Sequence, residues 1–391
     1  MRRLVCPGRF PILRPSMDIL IVTQDFPPER GGIQTYVLEL ARAFLARGHA
    51  VRIICPGHKN APNPLPHLTD LVRIRVHTSW LFLPLLTFLP RYLRLNPSVT
   101  HVLYAQWQPA MAELAMPISS KRHQSYCLVH GRELLTSVFG PLAPFLRLRV
   151  FDRFAAAFPN SDEVQRLARS RAAPGCPLHL VHPGVDPTHF LPMDADFLRE
   201  RYGLGKGPDR VPVILCITRL VARKNLRRLI EAMVKVRAEV PKAILLIGGS
   251  GPESESLEAR TRELGLRDEV RFLGRIAETE LVAHYSLADV FALPSMSSSK
   301  DIEGFGIVFL EAGACEVAVV GSRSGGIPDA VEEGITGLLV PPEATQKLSE
   351  ALLELLKDPE RAKTMGKQAR ARIEKDFTWT SVSDRMLDFM T

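Results

Sequence analysis

The sequence has no apolar run long enough to cross a bilayer, no closely spaced cysteines and no acidic excess. Its longest uncharged apolar stretch, HTSWLFLPLLTFLP from His77 to Pro90, is interrupted by proline and falls short of the roughly 20 residues that a spanning helix needs. The six cysteines (Cys6, Cys55, Cys127, Cys176, Cys216 and Cys315) form no C-x-x-C pair. That argues against a zinc ribbon or a disulfide framework and leaves them as small core residues. The N-terminal MRRLVCPGRFPILRPS lacks the unbroken apolar core of a secretion signal, so a cytosolic chain is expected. Met17 opens MDILIVTQDF, a strand pattern at once, so residues 1–16 are expected to be a basic extension or a misplaced translation start. No aromatic RNP-type strand and no recognition helix with a basic face is present, and nucleic acid is not an expected partner.

What is present is charge of one sign in one half. Residues 1–185 carry 22 Lys and Arg against 10 Asp and Glu, a net of +12, and the remainder 28 against 32, a net of −4, giving the chain its +8. A basic half calls for a polyanionic ligand or an anionic membrane surface. WLFLPLLTFLPRYLRL (Trp80 to Leu95), apolar and then basic with interfacial aromatics, is the expected membrane contact, with a core helix as the equal alternative.

The chain alternates between strand and helix patterns. DILIVT is a buried-type strand, apolar residues from Ile33 to Phe44 recur at helical spacing, and AVRIICP resumes as a strand. This is a βαβ unit and implies a parallel sheet. HVLYA and SYCLVH are further strands; a Pro- and Gly-dense segment, LARSRAAPGCPLHLVHPGVDPTHFLP, then marks a domain edge. Beyond it PVILCIT, AILLIGG, EVRFLG, VFALP, VAVVG and GLLVP alternate with helices. The fold expected is α/β, two doubly wound Rossmann-like domains facing across a cleft, with ligands at the carboxyl ends of the strands. Residues 17–185 form the first domain, 186–375 the second, and 376–391 a C-terminal helix returning to the first.

Candidate site residues follow the strands. Gly31 and Gly32 precede the first helix and let an anion approach its N-terminus. Arg219 and Lys224, in CITRLVARKN, could bring two cations to one diphosphate. LLIGGSGPE resembles a fragment of a dinucleotide fingerprint without its full spacing. In DIEGFGIVFLEAGAC, Gly304 and Gly306 open a helix with free N–H groups, Glu303 projects from the loop before it, and Glu311 lies one turn beyond Ile307 on the same face. Glu311 is the one charge in an apolar run from Phe305 to Cys315, so it needs a partner or an exposed site. Cations, helix N-termini and two acids describe a site for a nucleoside diphosphate whose sugar hydroxyls the acids accept.

EGFGIVFLE resembles the paired glutamates of the retaining glycosyltransferases of family 4, the group 1 transferases with the GT-B fold. PPERGGIQTYVLELARAFLARGHAV, LVHGRE, PNSDEVQRL, VHPGVDPTHF, TRLVARKN, GGSGPE, SGGIPDAVEEGITGLLVPP and DFTW are similar to that family, in order, from Met17 onward. The resemblance implies that Arg219 and Lys224 hold the diphosphate of a nucleotide sugar, beside Gly32 and the backbone of Phe305, Gly306, Ile307 and Val308. It implies Glu311 on the ribose, Glu303 on the donor sugar, His130 across the cleft beside that sugar, and Gly274, Arg275 and Ile276 at the base. Thr218 and Asn225 stand where the family usually has glycine. Transfer with retention and without a cofactor or bound metal is implied, and no D-x-D triplet or His/Asp cluster is expected to offer a divalent ion a site. HGRE and the basic half resemble mannosyltransferases acting on lipids or lipid-linked glycans, which implies GDP-mannose as donor and a cytoplasmic enzyme held peripherally at the inner membrane surface. The rival readings are a non-catalytic nucleotide-sugar or polyanion binder, which needs neither both acids nor His130, and a nucleotide-sugar epimerase of the same architecture.

Overall fold

The computed structural model describes residues 16–28, 31–57, 61–117, 122–136, 139–171 and 174–391. The expected N-terminal extension lies, but for Ser16, outside the described residues.

Twelve strands form two six-stranded sheets. The first holds β1 (Asp18–Val22), β2 (Ala50–Pro56), β3 (Asp70–Ile74), β4 (His101–Tyr104), β5 (Gln124–Val129) and β6 (Ala156–Pro159) in the order β3-β2-β1-β4-β5-β6. The second holds β7 (Val213–Ile217), β8 (Ile244–Gly248), β9 (Val270–Gly274), β10 (Val290–Leu293), β11 (Ala318–Ser322) and β12 (Gly337–Val340) in the order β12-β11-β10-β7-β8-β9. All neighbouring strands are parallel. Each sheet reverses its winding beside its first strand, between β1 and β4 and between β7 and β10, where a doubly wound sheet opens a crevice at its carboxyl edge.

Two strands escape a reading by apolar runs. β3 alternates charge with aliphatic residues (DLVRI), and β6 is only AAFP. Both are edge strands of the first sheet, where half-burial and a terminal proline are tolerated.

The Pro359–Asp376 helix ends at Phe377, and a separate helix, Trp379–Met390, begins after Thr378, whose side chain caps it by accepting from Ser381 N. Trp379, Val382, Met386, Leu387 and Met390 are buried in the core of the first sheet, against the Gly32–Ala46 helix. At about 1.5–3 kcal/mol for each large apolar side chain, this burial fixes the chain end there. The Tyr126 hydroxyl and His101 reach the carbonyl of Met390, and Arg47 pairs with Asp384. On its way the chain crosses residues 184–185: Val185 N donates to the Phe377 carbonyl at 2.8 Å, and a Cβ on Gly184 would lie 2.9 Å from that oxygen.

The Trp80–Leu95 stretch is in part a core helix, as one of the two expectations had it. A short turn leads into the Phe82–Leu95 helix, which buries Phe82, Leu85, Leu89 and Tyr92 while Trp80, Leu83 and Leu95 stay exposed. No helix among the described residues is long and apolar enough to cross a membrane. Cys55, Cys127, Cys176, Cys216 and Cys315 are free and buried.

Candidate active site

Burial of charge organises the carboxyl edge of the second sheet. The loop after β7 makes one helical turn, Ala222–Lys224, and then reverses at Asn225, which has the left-handed φ of 56°. Asparagine tolerates that geometry. Here its side-chain amide is also pinned to the carbonyls of Pro294 and Pro342 at 3.1 and 3.0 Å. The turn points Lys224 inward, 8% exposed. Its Nζ donates to Glu303 Oε2 at 2.5 Å, and the same oxygen accepts from Arg223 at 2.5 Å and from Ser295 Oγ at 2.9 Å.

Burial is the largest influence on both members of this pair, pressing the pKa of Glu303 up and that of Lys224 down. At the carboxylate Lys224, Arg223 and the hydrogen bonds prevail and hold it at about 2, so Glu303 is ionised at neutral pH. Sequence reasoning misses Arg223 as a site residue; it differs in sequence from the surface arginines Arg227 and Arg228 only by preceding Lys224. Arg219 is exposed, and its side chain makes no hydrogen bond or ion pair among the described residues, while its carbonyl accepts from Val221 N at 3.0 Å.

The loop after Glu303 is shaped by close approach. Gly306 has φ 91° and starts the Ile307–Ala314 helix. Gly326 N donates to the Glu303 carbonyl at 2.9 Å. A Cβ on Gly304 would stand 2.5 Å from the carbonyl of His130 and 3.0 Å from the Asn160 amide. Likewise Gly131, at φ 105°, has room for no Cβ beside Ile302, 2.7 Å away. These contacts bring the ends of β5 and β6 against the loop of Glu303. Asp329 reinforces them by accepting from Asp162 N at 2.6 Å and His182 Nε2 at 3.1 Å. Gly304→Ala drives a methyl into the His130 carbonyl. Since a displacement of about 1 Å can cost up to ~100-fold, turnover should fall by at least about 10-fold; unchanged steady-state rates would show the contact to be dispensable.

His130 Nε2 lies 3.0 Å from the Ala105 carbonyl, which makes that nitrogen the protonated one and leaves Nδ1 with its lone pair. Burial lowers the histidine's pKa against the opposing fields of Glu133 and Asp25. The imidazole is therefore neutral, with Tyr36 edge-on at 5.6 Å. Glu133 Oε1 holds the turn by accepting the N–H groups of His130 and Gly131 at 2.7 and 3.2 Å.

Glu311 has its partner: the hydroxyl of Tyr285, on the Glu278–Leu287 helix, donates to Oε2 at 2.6 Å. Burial raises the pKa of Glu311, with Glu278 adding to the rise and Tyr285 opposing it. The two acids thus have separate partners, Glu311 sitting with Tyr285 while Glu303 pairs with Lys224. Gly274 and Arg275 are exposed at the end of β9, and Ile276 packs on Gly248. Gly31 caps the Gly32–Ala46 helix with extended backbone, and Gly32 faces open space.

Two sequence features turn out to be structural. The glycines of GGSG let the loop after β8 lie on the loop after β7: Gly249 abuts the Thr218 carbonyl, Gly251 abuts that of Leu220, and Leu220 N donates to Ser250 O at 3.0 Å. Contrary to the expectation of none, Asp194-Ala195-Asp196 is an Asp-x-Asp triplet; it starts the Asp196–Arg201 helix. Asp194 accepts from Asp196 N at 2.8 Å, and Asp196 pairs with Lys206 at 3.0 Å.

Comparison with known proteins agrees with this architecture. Residues 204–372 match the family model of glycosyl transferases group 1, and residues 30–189 that of glycosyltransferase family 4. The chain is 36% identical over 384 residues to the GDP-mannose-dependent alpha-(1-6)-phosphatidylinositol monomannoside mannosyltransferase of Mycobacterium tuberculosis, covering 95% of this chain and 97% of that one. With the enzyme of the same name from Mycolicibacterium smegmatis it shares 37%, over 95% and 98% of the two chains. Sucrose-phosphate synthase from Thermosynechococcus elongatus superimposes with a TM-score of 0.80 at 24% identity, over 95% of this chain and 98% of that one. Anabaena HepE in complex with UDP superimposes at 0.78 and 20%, over 95% and 99%. Two parallel sheets in the GT-B arrangement and relatedness along nearly the whole length leave one conclusion: the chain belongs to the family 4 glycosyltransferases, the group 1 transferases, and is a glycosyltransferase enzyme.

Proposed function

We propose that the chain transfers mannose from GDP-mannose to a phosphatidylinositol-based glycolipid, with retention at the anomeric carbon and without a metal. The observation that carries the donor half is the buried, ionised Lys224–Glu303–Arg223 cluster at the carboxyl edge of the second sheet. The relatives' names support the choice of mannose and lipid. In this reading Arg219 and Lys224, with the N-terminus of the Ile307–Ala314 helix and Gly32, take up charge that grows on the leaving diphosphate, the kind of stabilisation that usually dominates. Glu311, oriented by Tyr285, accepts the ribose hydroxyls, and Gly274, Arg275 and Ile276 border the base. His130, neutral with a free Nδ1, meets the donor sugar from the other side of the cleft.

Glu303 orients the donor sugar rather than attacking it. An acid with a pKa of about 2, its Oε2 already accepting three hydrogen bonds, is a weak nucleophile. Residues 17–185 and 186–375 act as the two closing units, hinged where residues 184–185 pass Phe377. The enzyme works at the cytoplasmic face of the membrane, with the exposed Trp80 and Leu83 against the lipid.

A thermal-shift panel of GDP, UDP, ADP and their common sugars tests the donor. GDP and GDP-mannose should raise the melting temperature without added metal, as ligands that bind only the folded chain do, and Glu311→Ala should abolish the shift. A response to UDP or ADP instead would replace the donor in this reading.

A further inference from the structure

The first sheet carries a cavity of its own at its carboxyl edge. About 550 Å³ opens at the carboxyl ends of β1, β2 and β3, lined among others by Gln24, Phe26, Arg73, Arg75, His77 and Thr78. No acid is among its lining residues that the structure describes. Arg73 is 7% exposed, yet it pairs with no carboxylate among the described residues. Its Nη1 and Nη2 donate to the carbonyls of Pro27 and Pro62 at 3.0 and 3.1 Å, and the ring of Phe26 lies 5.7 Å beneath the guanidinium. Its Nε is buried with no hydrogen-bond partner. Gly57, at φ 133°, clears the space: a Cβ there would stand 3.3 Å from Nη1.

A cation removed from water without a counter-ion is strongly disfavoured unless an anion completes it. Arg75 and His77 follow beyond the end of β3 at Ile74, where Val76 N turns back to the Ile74 carbonyl at 2.9 Å. Both are exposed and line the same cavity. Just beyond them in the chain, Trp80 and Leu83 are exposed. A phosphate held at Arg73 would thus sit beside a surface suited to acyl chains.

We propose that this cavity binds the phosphodiester of the acceptor, with Arg73 as its buried anchor and Arg75 and His77 at its mouth. The size suits a headgroup of phosphate plus one ring, within the range of small-molecule sites. The proposal rests on the glycolipid-acceptor reading for the identity of the phosphate's carrier; the anion site itself does not.

Calorimetric titration of the full chain, saturated with GDP, separates the possibilities. Glycerophosphoinositol and inositol 1-phosphate should bind and free inositol should not. Arg75→Ala with His77→Ala should weaken both phosphates by at least about 10-fold, with GDP affinity unchanged. Because Arg73 also carries packing, Arg73→Gln is judged only where GDP still binds, and there phosphate binding should be lost. Inositol binding as tightly as its phosphate, or a double variant binding like the parent, would overturn the site. Vesicles containing phosphatidylinositol binding through the same residues, with the soluble headgroups silent, would assign the phosphate to intact lipid. Phosphate binding that persists while no glycolipid accepts mannose would sink the acceptor reading and leave the anion site standing.

Discussion

Lys224→Ala lowers turnover by roughly 100-fold or more, the scale on which an electrostatic group aimed at developing charge acts. The ammonium is buried in the same cluster as Glu303, where screening by solvent is weak and each charge counts for more than it would in water. Removing it also breaks a buried ion pair, which costs about 3–5 kcal/mol when the remaining charge is left alone. Arg223, at 2.5 Å from the same oxygen, keeps Glu303 partly compensated, so the loss of stability should fall below that range. Rates must therefore be compared well below the variant's melting temperature. Arg219→Ala supplies the control, because Arg219 is exposed and unpaired among the described residues: its rate falls with the melting temperature unmoved. Transfer of labelled mannose at near-parental rates by both variants would remove the cationic clamp on the diphosphate.

What can be read from the sequence follows from the reach of each signal. Apolar runs bounded by turn residues let β1, β2, β4, β5 and all six strands of the second sheet announce themselves, the half-buried β9 included. β3 does not, because Asp70 and Arg73 interrupt its apolar run, and β6 does not, because four residues make too short a run to stand out. Glu303 and Lys224 are visible as site candidates because each stands beside glycine or a turn after a strand. Their direct pairing is not, because 79 residues separate them and no local rule joins them. The same holds for Tyr285, placed opposite Glu311 by packing between helices, 26 residues away in sequence. Asn225 looks like a departure from a glycine pattern; its left-handed φ and the two carbonyls it holds show a second solution to one backbone requirement. Arg73, without a counter-ion among the described residues, sits in a strand that the apolar pattern misses, and in the sequence it shows only as part of the first half's basic excess.

Glu303→Gln tests the cluster from its acidic side, and the expected result depends on pH. The folded-state pKa is about 2 against an ordinary 4.5, so ionised Glu303 stabilises the fold above pH about 4.5, and this contribution is lost as pH falls toward 2. A tenfold change in proton affinity corresponds to about 1.4 kcal/mol, which puts the full effect on the order of 3 kcal/mol. Glutamine keeps an oxygen for Ser295 and Lys224 but leaves Lys224 without its counter-charge, while Arg223 keeps Asp301 at 3.1 Å. At neutral pH the variant should thus be less stable by about that amount, read by chemical denaturation, and the gap between parent and variant should close as both are acidified. A gap that stays constant down to pH of about 3 would mean that packing or hydrogen bonding, not charge, holds the loop. Activity adds an independent constraint. A sugar-orienting carboxylate of low basicity predicts a large loss of turnover without any trapped glycosyl intermediate in the parent enzyme. A nucleophile would instead leave a covalent adduct on Glu303, which the three donors on its Oε2, two of them cations, are arranged to disfavour.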